Sequence, residues 1–204
     1  MKQTKRKPAT ERRREIASAV LRLIGERGAS SLTTSAIAGV VGVTPGALFR
    51  HFASLEEILA AAVDLAIEVV EGTFPPADLP PLERLSRLVL SRIETIRETP
   101  GLAWLLLSNQ VYLTVPGPAV ERLRELVQRS KAFLLQALRD GIADGSLRSD
   151  LKPEIQLILF SGTVHALVGA RGVHQDAPNT PPQPAEVVAA LLELLAVPPG
   201  ISSN

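Results

Sequence analysis

Arg50 and His51 stand side by side at the end of "GVTPGALFRHF", residues 42–52. The pair could serve acid–base chemistry, because an imidazole titrates near neutral pH and an arginine holds an anion beside it. It could equally grip a phosphodiester backbone. Three hydroxyls lie just upstream, on Thr33, Thr34 and Thr44. The other histidines are His165 and His174. No histidine falls in HExxH spacing, and there is neither a Gly-rich phosphate loop nor a nucleophile elbow. The chain has no cysteine. That removes cysteine nucleophiles, zinc–thiolate sites and disulfides, and points to an intracellular, cytoplasmic protein. We therefore expect no catalytic residue, no metal and no cofactor, and not an enzyme.

The elements that carry these residues read as helices. The 204 residues are 46% hydrophobic and 21% charged, with only 3% aromatic, a composition for a soluble, helix-rich fold. Thr10 is the expected N-cap of a first helix, with Ile16, Val20, Leu23 and Ile24 on one face and Gly28 at its end. A short second helix follows, capped by Thr33 or Thr34, with Ile37, Ala38 and Val41 inward and Gly42 closing it. The third helix is the opening stretch. Thr44 is its N-cap and Pro45 its first position, where the missing N–H costs nothing. Leu48 and Phe52 share one face. Ser54 caps a fourth helix, with Glu56 and Glu57 in its first turn.

Later helices are expected at about Leu82–Glu98, Leu102–Leu113, Ala119–Asp144, Pro153–Gly172 and Pro184–Ala196, with the Pro-rich "QDAPNTPPQP" between the last two. The apolar stretch around Ile155–Ala170 is interrupted by Gln156, Ser161, Thr163 and His165 and is too short for a membrane span of roughly 18–20 residues. The last two helices are apolar on nearly every face. A helix of that kind needs cover on every side, and a second copy of the chain, packed as a bundle, would supply it.

Charge is divided along the chain. Residues 1–55 carry ten Lys/Arg and three Asp/Glu, a balance of +7. Residues 56–204 carry twelve and eighteen, a balance of −6. A basic module joined to an acidic one suits a polyanion at the first end, though a solvated basic tail would look the same by charge alone. Three short helices with a tight glycine turn between the second and third spell a helix-turn-helix. Gly46 and Ala47 leave the leading end of its second helix slim enough for the major groove. Helix N-termini attract phosphate, which gives Thr33, Thr34 and Thr44 a hydroxyl and a backbone donor each. Arg50 and His51 fall on the outer side, near the backbone. A purely structural dimerising module would leave this third helix unexplained.

The stretch "LTTSAIAGVVGVTPGALFRHFASLEEIL", residues 32–59, resembles the N-terminal DNA-binding module of the TetR family of transcriptional regulators. The resemblance covers about residues 10–60. It implies an all-α fold: a three-helix helix-turn-helix module over 1–55, with a basic tail at 1–9, and a larger helical ligand-binding and dimerisation domain over 56–204. It implies a homodimer through the last two helices, bound to a palindrome in double-stranded DNA and released by a small, mostly apolar effector, most often as a repressor. A transcriptional activator, or a regulator without a ligand, is the alternative. The recognition positions it implies are Thr44, Pro45, Gly46, Ala47, Phe49, Arg50 and His51. The family usually has a phosphate-binding tyrosine where Phe49 stands and a lysine where Leu55 stands. Lys2, Lys5, Arg6 and Lys7 in the tail are the expected compensating contacts, through an adjacent minor groove. The expected ligand pocket is lined by Trp104, Leu105, Tyr112, Phe133, Phe160 and His165, each of which could equally be core; the polar ring of His165 needs a ligand, a neighbour or the other subunit.

Overall fold

Alternation of apolar and charged residues at helical spacing runs through most of the chain, and helix is what forms. The computed structural model describes residues 8–169 and 182–197. Lys2, Lys5, Arg6, Lys7, His174 and most of the Pro-rich loop lie outside them. Ten α-helices and one 3₁₀ turn run through the described residues, and their one β feature is an isolated bridge between Leu147 and Ala196. The helices are α1 (Ala9–Arg27), α2 (Thr34–Val41), α3 (Pro45–Leu48), α4 (Leu55–Glu71), α5 (Pro81–Glu98), α6 (Pro100–Leu107), α7 (Val111–Thr114), α8 (Gly117–Ala143), α9 (Pro153–Gly169) and α10 (Pro184–Leu195). The expected all-α class holds.

Two compact units result: Met1–Glu71 with Glu98–Glu125, and Gly72–Arg97 with Leu126–Asn204. In the first, α1 is the common wall. It buries Ile16, Ala17, Ala19, Val20, Leu21, Leu23 and Ile24 and packs on α2, α4 and α6. Each fully buried aliphatic side chain contributes about 1.5–3 kcal/mol by burial. The close approach of α6 depends on Gly101, since a Cβ there would stand 2.2 Å from the Leu21 carbonyl oxygen. Helix α4 answers with Ile58, Leu59, Ala62, Val63, Ala66 and Val70.

In the second unit, α5 buries Leu85, Leu88, Val89, Ile93 and Ile96, while α8 contributes Leu134, Ala137 and Leu138 and α9 contributes Phe160. Arg84 is buried there with its charge answered by Asp140 at 2.5 Å. That hydrogen bond, and then one from Gln136, holds the Asp140 carboxyl below its ordinary range. Gln156 is fully buried and donates to the carbonyls of Arg148 and Leu151, both at 3.0 Å.

Two expectations are corrected. Helix α1 begins at Ala9 with Pro8 in the cap position, so Thr10 lies inside the first turn. The helix expected over Leu102–Leu113 is two helices, α6 and α7. Between them Ser108 is extended, and its hydroxyl accepts from the Gln110 N–H at 3.1 Å, a local bond that competes with the helix ladder. Helix α9 leaves Ile155, Ile158 and Leu159 exposed within the chain.

Replacing Gly101 by alanine forces α6 off the backbone of Leu21. We expect a loss of about 1–3 kcal/mol, the range for overpacking a tight contact. Chemical denaturation of the variant measures it directly; unchanged stability would mean that the two helices slide apart freely.

Candidate nucleic-acid interface

Thr33 starts the site. Its backbone is extended, and its hydroxyl accepts from the Ala36 N–H at 3.1 Å, so Thr33 rather than Thr34 caps α2. Gly42 ends α2 in the left-handed conformation, φ 74° and ψ 37°. A residue with a Cβ is strained there, which is why glycine makes this turn. The Val43 N–H closes it on the Ala38 carbonyl at 3.0 Å.

Helix α3 is four residues long. Thr44 holds the N-cap position as expected, but its hydroxyl makes no capping bond; its carbonyl accepts from the Ala47 N–H at 2.9 Å. After Leu48 the chain continues as a hydrogen-bonded turn, with His51 and Phe52 both donating to the Leu48 carbonyl. One helical turn is too little to persist alone. Leu48 and Phe52, both buried, hold it down. Arg13 of α1 adds a second restraint: it donates to the His51 carbonyl and, at 2.8 Å, to the Glu57 carboxylate, and its guanidinium stacks 4.0 Å from the centre of the Phe52 ring. Glu57 in turn accepts from the Ala53 N–H at 2.6 Å, and Ser54 caps α4 at the Glu57 N–H. The Ala53 bond, and then Arg13, lowers the Glu57 carboxyl below its ordinary range. Nothing in the local sequence marks Arg13, because its partners are 38 and 44 residues away.

The opposite side of this element is open. Thr33, Thr44, Pro45, Gly46, Phe49 and Arg50 are exposed, and Thr34, Ala47 and His51 are half-buried. A Cβ at Gly46 would meet nothing within 4 Å, and its φ is not positive. The chain's own packing therefore does not require glycine there. Charge is arranged to match. Arg12, Arg13 and Arg14 are paired with Glu15, Glu57 and Glu68, whereas Arg50 has no ion-pair partner among the described residues. The arrangement can present a slim helix start, backbone N–H groups, hydroxyls and one uncommitted guanidinium to an anionic surface.

Of the six residues expected to line a ligand pocket, three belong to each unit. In the first unit Leu105 is core, Trp104 is half-buried, and Tyr112 is exposed with the Arg124 guanidinium 4.9 Å from its ring centre. In the second unit Phe160 is core, Phe133 packs edge-on against Phe74 at 5.4 Å, and His165 is exposed on α9. A groove of about 520 Å³ runs along α1 and α2 past Arg12, Arg22 and Val40, and none of the six lines it. Among the described residues no cluster of acidic or histidine side chains could hold a metal, and no helix is long and apolar enough to cross a membrane.

Comparison with known proteins agrees with this geometry. Residues 16–62 match the family described as bacterial regulatory proteins, tetR family. The nucleoid occlusion factor SlmA of Marinobacter nauticus is 30% identical over 156 residues, 74% of this chain and 75% of that protein. The HTH-type transcriptional repressor KstR2 of Mycolicibacterium smegmatis is 24% identical over 164 residues, with 74% and 75% covered. The solved structure of AibR in complex with isovaleryl coenzyme A and operator DNA superposes with a TM-score of 0.73 at 20% identity, covering 91% of this chain and 98% of that one. A three-helix reading head, a matching family profile over it and a relative aligned along three quarters of its length converge: the chain belongs to the TetR family, and it is a DNA-binding transcriptional regulator rather than an enzyme.

Proposed function

We propose that the chain represses transcription by binding a palindromic operator as a homodimer, and that a small, mostly apolar effector releases it. Residues 1–55 do the reading in this scheme, and 56–204 hold the effector and the partner subunit. The observation that carries the DNA contact is Gly46: an exposed glycine that the fold itself does not need, at the tip of a helix start flanked by Thr44 and Arg50. Pro45, Gly46 and Ala47 face the base edges, and Phe49, Arg50 and His51 face the phosphates with Thr33, Thr34 and Thr44. The tail residues Lys5, Arg6 and Lys7 add non-specific attraction.

Support for the dimer comes from α9. Ile155, Ile158 and Leu159 are exposed, and with Gly162, His165 and Ala166, also exposed, they recur at helical spacing along one stripe. Leu194 on α10 is 71% exposed. A second copy laid across these helices would bury that apolar surface as a four-helix bundle and would give His165 its partner. Support for an effector comes from AibR, whose structure holds both isovaleryl coenzyme A and operator DNA.

Selection from a random DNA pool tests the reading. The bound sequences should be palindromic, with half-site centres about 34–36 Å apart, and the affinity should fall linearly on a log–log plot against salt. Unselected DNA, or binding insensitive to salt, rejects it. Gly46→Leu should leave thermal stability unchanged or slightly raised, since leucine favours helix. It should weaken operator binding at least about tenfold, the scale of one lost base-pair readout. Retained affinity would place Gly46 away from the groove. Phe49→Tyr should tighten binding severalfold by adding a phosphate hydrogen bond, and an unchanged or weaker affinity would show that Phe49 does not face a phosphate.

A further inference from the structure

Arg92 lies on the inner stripe of α5, in helical step with Leu85, Leu88 and Ile96, all buried. Its Nε donates to the Thr73 hydroxyl at 2.8 Å and its Nη1 to the Ser130 hydroxyl at 3.3 Å. Its guanidinium carbon stands 5.3 Å from the centre of the Phe74 ring, which meets Phe133 edge-on. Its Nη2 is buried and has no hydrogen-bond partner. No carboxylate among the described residues pairs with it.

Two other side chains in the same unit have a buried atom without a partner, Arg84 at Nε and Gln156 at Oε1. They differ from Arg92 in kind. Arg84 has its charge answered by Asp140, and Gln156 is neutral and donates twice. Arg92 is a half-buried cation with its Nη2 enclosed, and its acceptors among the described residues are two neutral hydroxyls and a ring. Burial alone pushes its guanidinium down to about 10, so it stays charged at neutral pH and the fold bears the cost of taking it out of water. An arginine placed so is matched to an anion, above all to a planar carboxylate.

We infer that Arg92 anchors the carboxylate of a small organic acid at Nη2, with the acid's apolar body against Phe74 and Phe133. Thr73 and Ser130 hold the other two nitrogens and fix the direction of the fork. The site rests on the ligand-responsive reading above for its regulatory meaning, and it narrows the effector class from apolar molecules to apolar acids. Arginine is required at this point because a lysine cannot reach both hydroxyls and still present a free N–H pair.

The test uses the full chain with octanoate and 3-phenylpropionate, their neutral amides, and inorganic phosphate, read by calorimetry and thermal shift. At least one acid should bind ten or more times tighter than its amide and tighter than phosphate. Arg92→Met should abolish that preference, weakening the acid more than its amide, and melt at the same temperature as the parent or higher when no ligand is present. The inference fails if neither acid outbinds its amide, if phosphate outbinds both acids, if Arg92→Met keeps the preference, or if the ligand-free variant melts several degrees lower, which would make Arg92 a structural residue. Operator release is scored separately. An acid that binds through Arg92 without releasing DNA defeats the effector reading and leaves this site standing. Release by an acid in Arg92→Met, at parental affinity, does the reverse.

Discussion

The reading head depends on α1 serving three neighbours at once. Its seven buried residues cannot all lie on one narrow stripe, and they meet α2, α4 and α6 on different sides. Small residues make this possible. Ala17 and Ala19 keep the helix thin, and Gly101 lets α6 come against the backbone at Leu21. A wall of that kind is stiff, because close-packed interiors do not deform gradually. The stiffness matters most for α3, which has four residues and one buried side chain of its own. Its position is inherited from Leu48, Phe52 and the grip of Arg13 on the chain just after it.

Charge in the first unit follows the same division of labour. Three consecutive arginines of α1 are committed to Glu15, Glu57 and Glu68. All of these pairs are partly exposed, so each adds little to stability. Their consequence is positional: Arg13 locks the end of the reading element, and Glu57 fastens the start of α4 behind it. The net charge of residues 1–55 therefore overstates the free cation on the face that meets DNA in the proposed reading. Arg50, left without a carboxylate, counts for more there than the arginines of α1.

Much of this was legible in the amino-acid order, for local reasons. The stripe of Ile16, Val20, Leu23 and Ile24 is a short-range pattern, and so are the glycines at 28 and 42, whose positive φ the turns demand. The cap at Ser54 is likewise local. What escaped depended on partners far along the chain or on competition between near-equal local options. Thr10 read as the cap of the first helix, and the chain puts Pro8 there. The break at Ser108 turned on one side-chain hydrogen bond. Arg13, Arg92 and Gly101 owe their importance to residues brought in by folding, and no local pattern singles them out. Tyr112 and His165 drew attention as large or polar groups on apolar segments, yet both face outward in the chain.

Helix α9 shows why an apolar composition cannot by itself separate core from interface. Phe160 is fully buried, while Ile158, two residues earlier, is 69% exposed. Both faces are equally apolar, so no amphipathic pattern divides them, and the division appears only when α10 and the rest of the unit claim one side. Polar groups divide the same unit more sharply. Arg84 and Gln156 are answered by the chain itself, through a carboxylate and two carbonyls. Arg92 is answered by two hydroxyls and an aromatic ring, with no carboxylate among the described residues, and exchanging it for an apolar side chain would relieve the cost of holding a half-buried charge there. A sequence free to choose between those options, in a unit otherwise well provided with aliphatic residues, retains the charge for something the isolated chain does not contain.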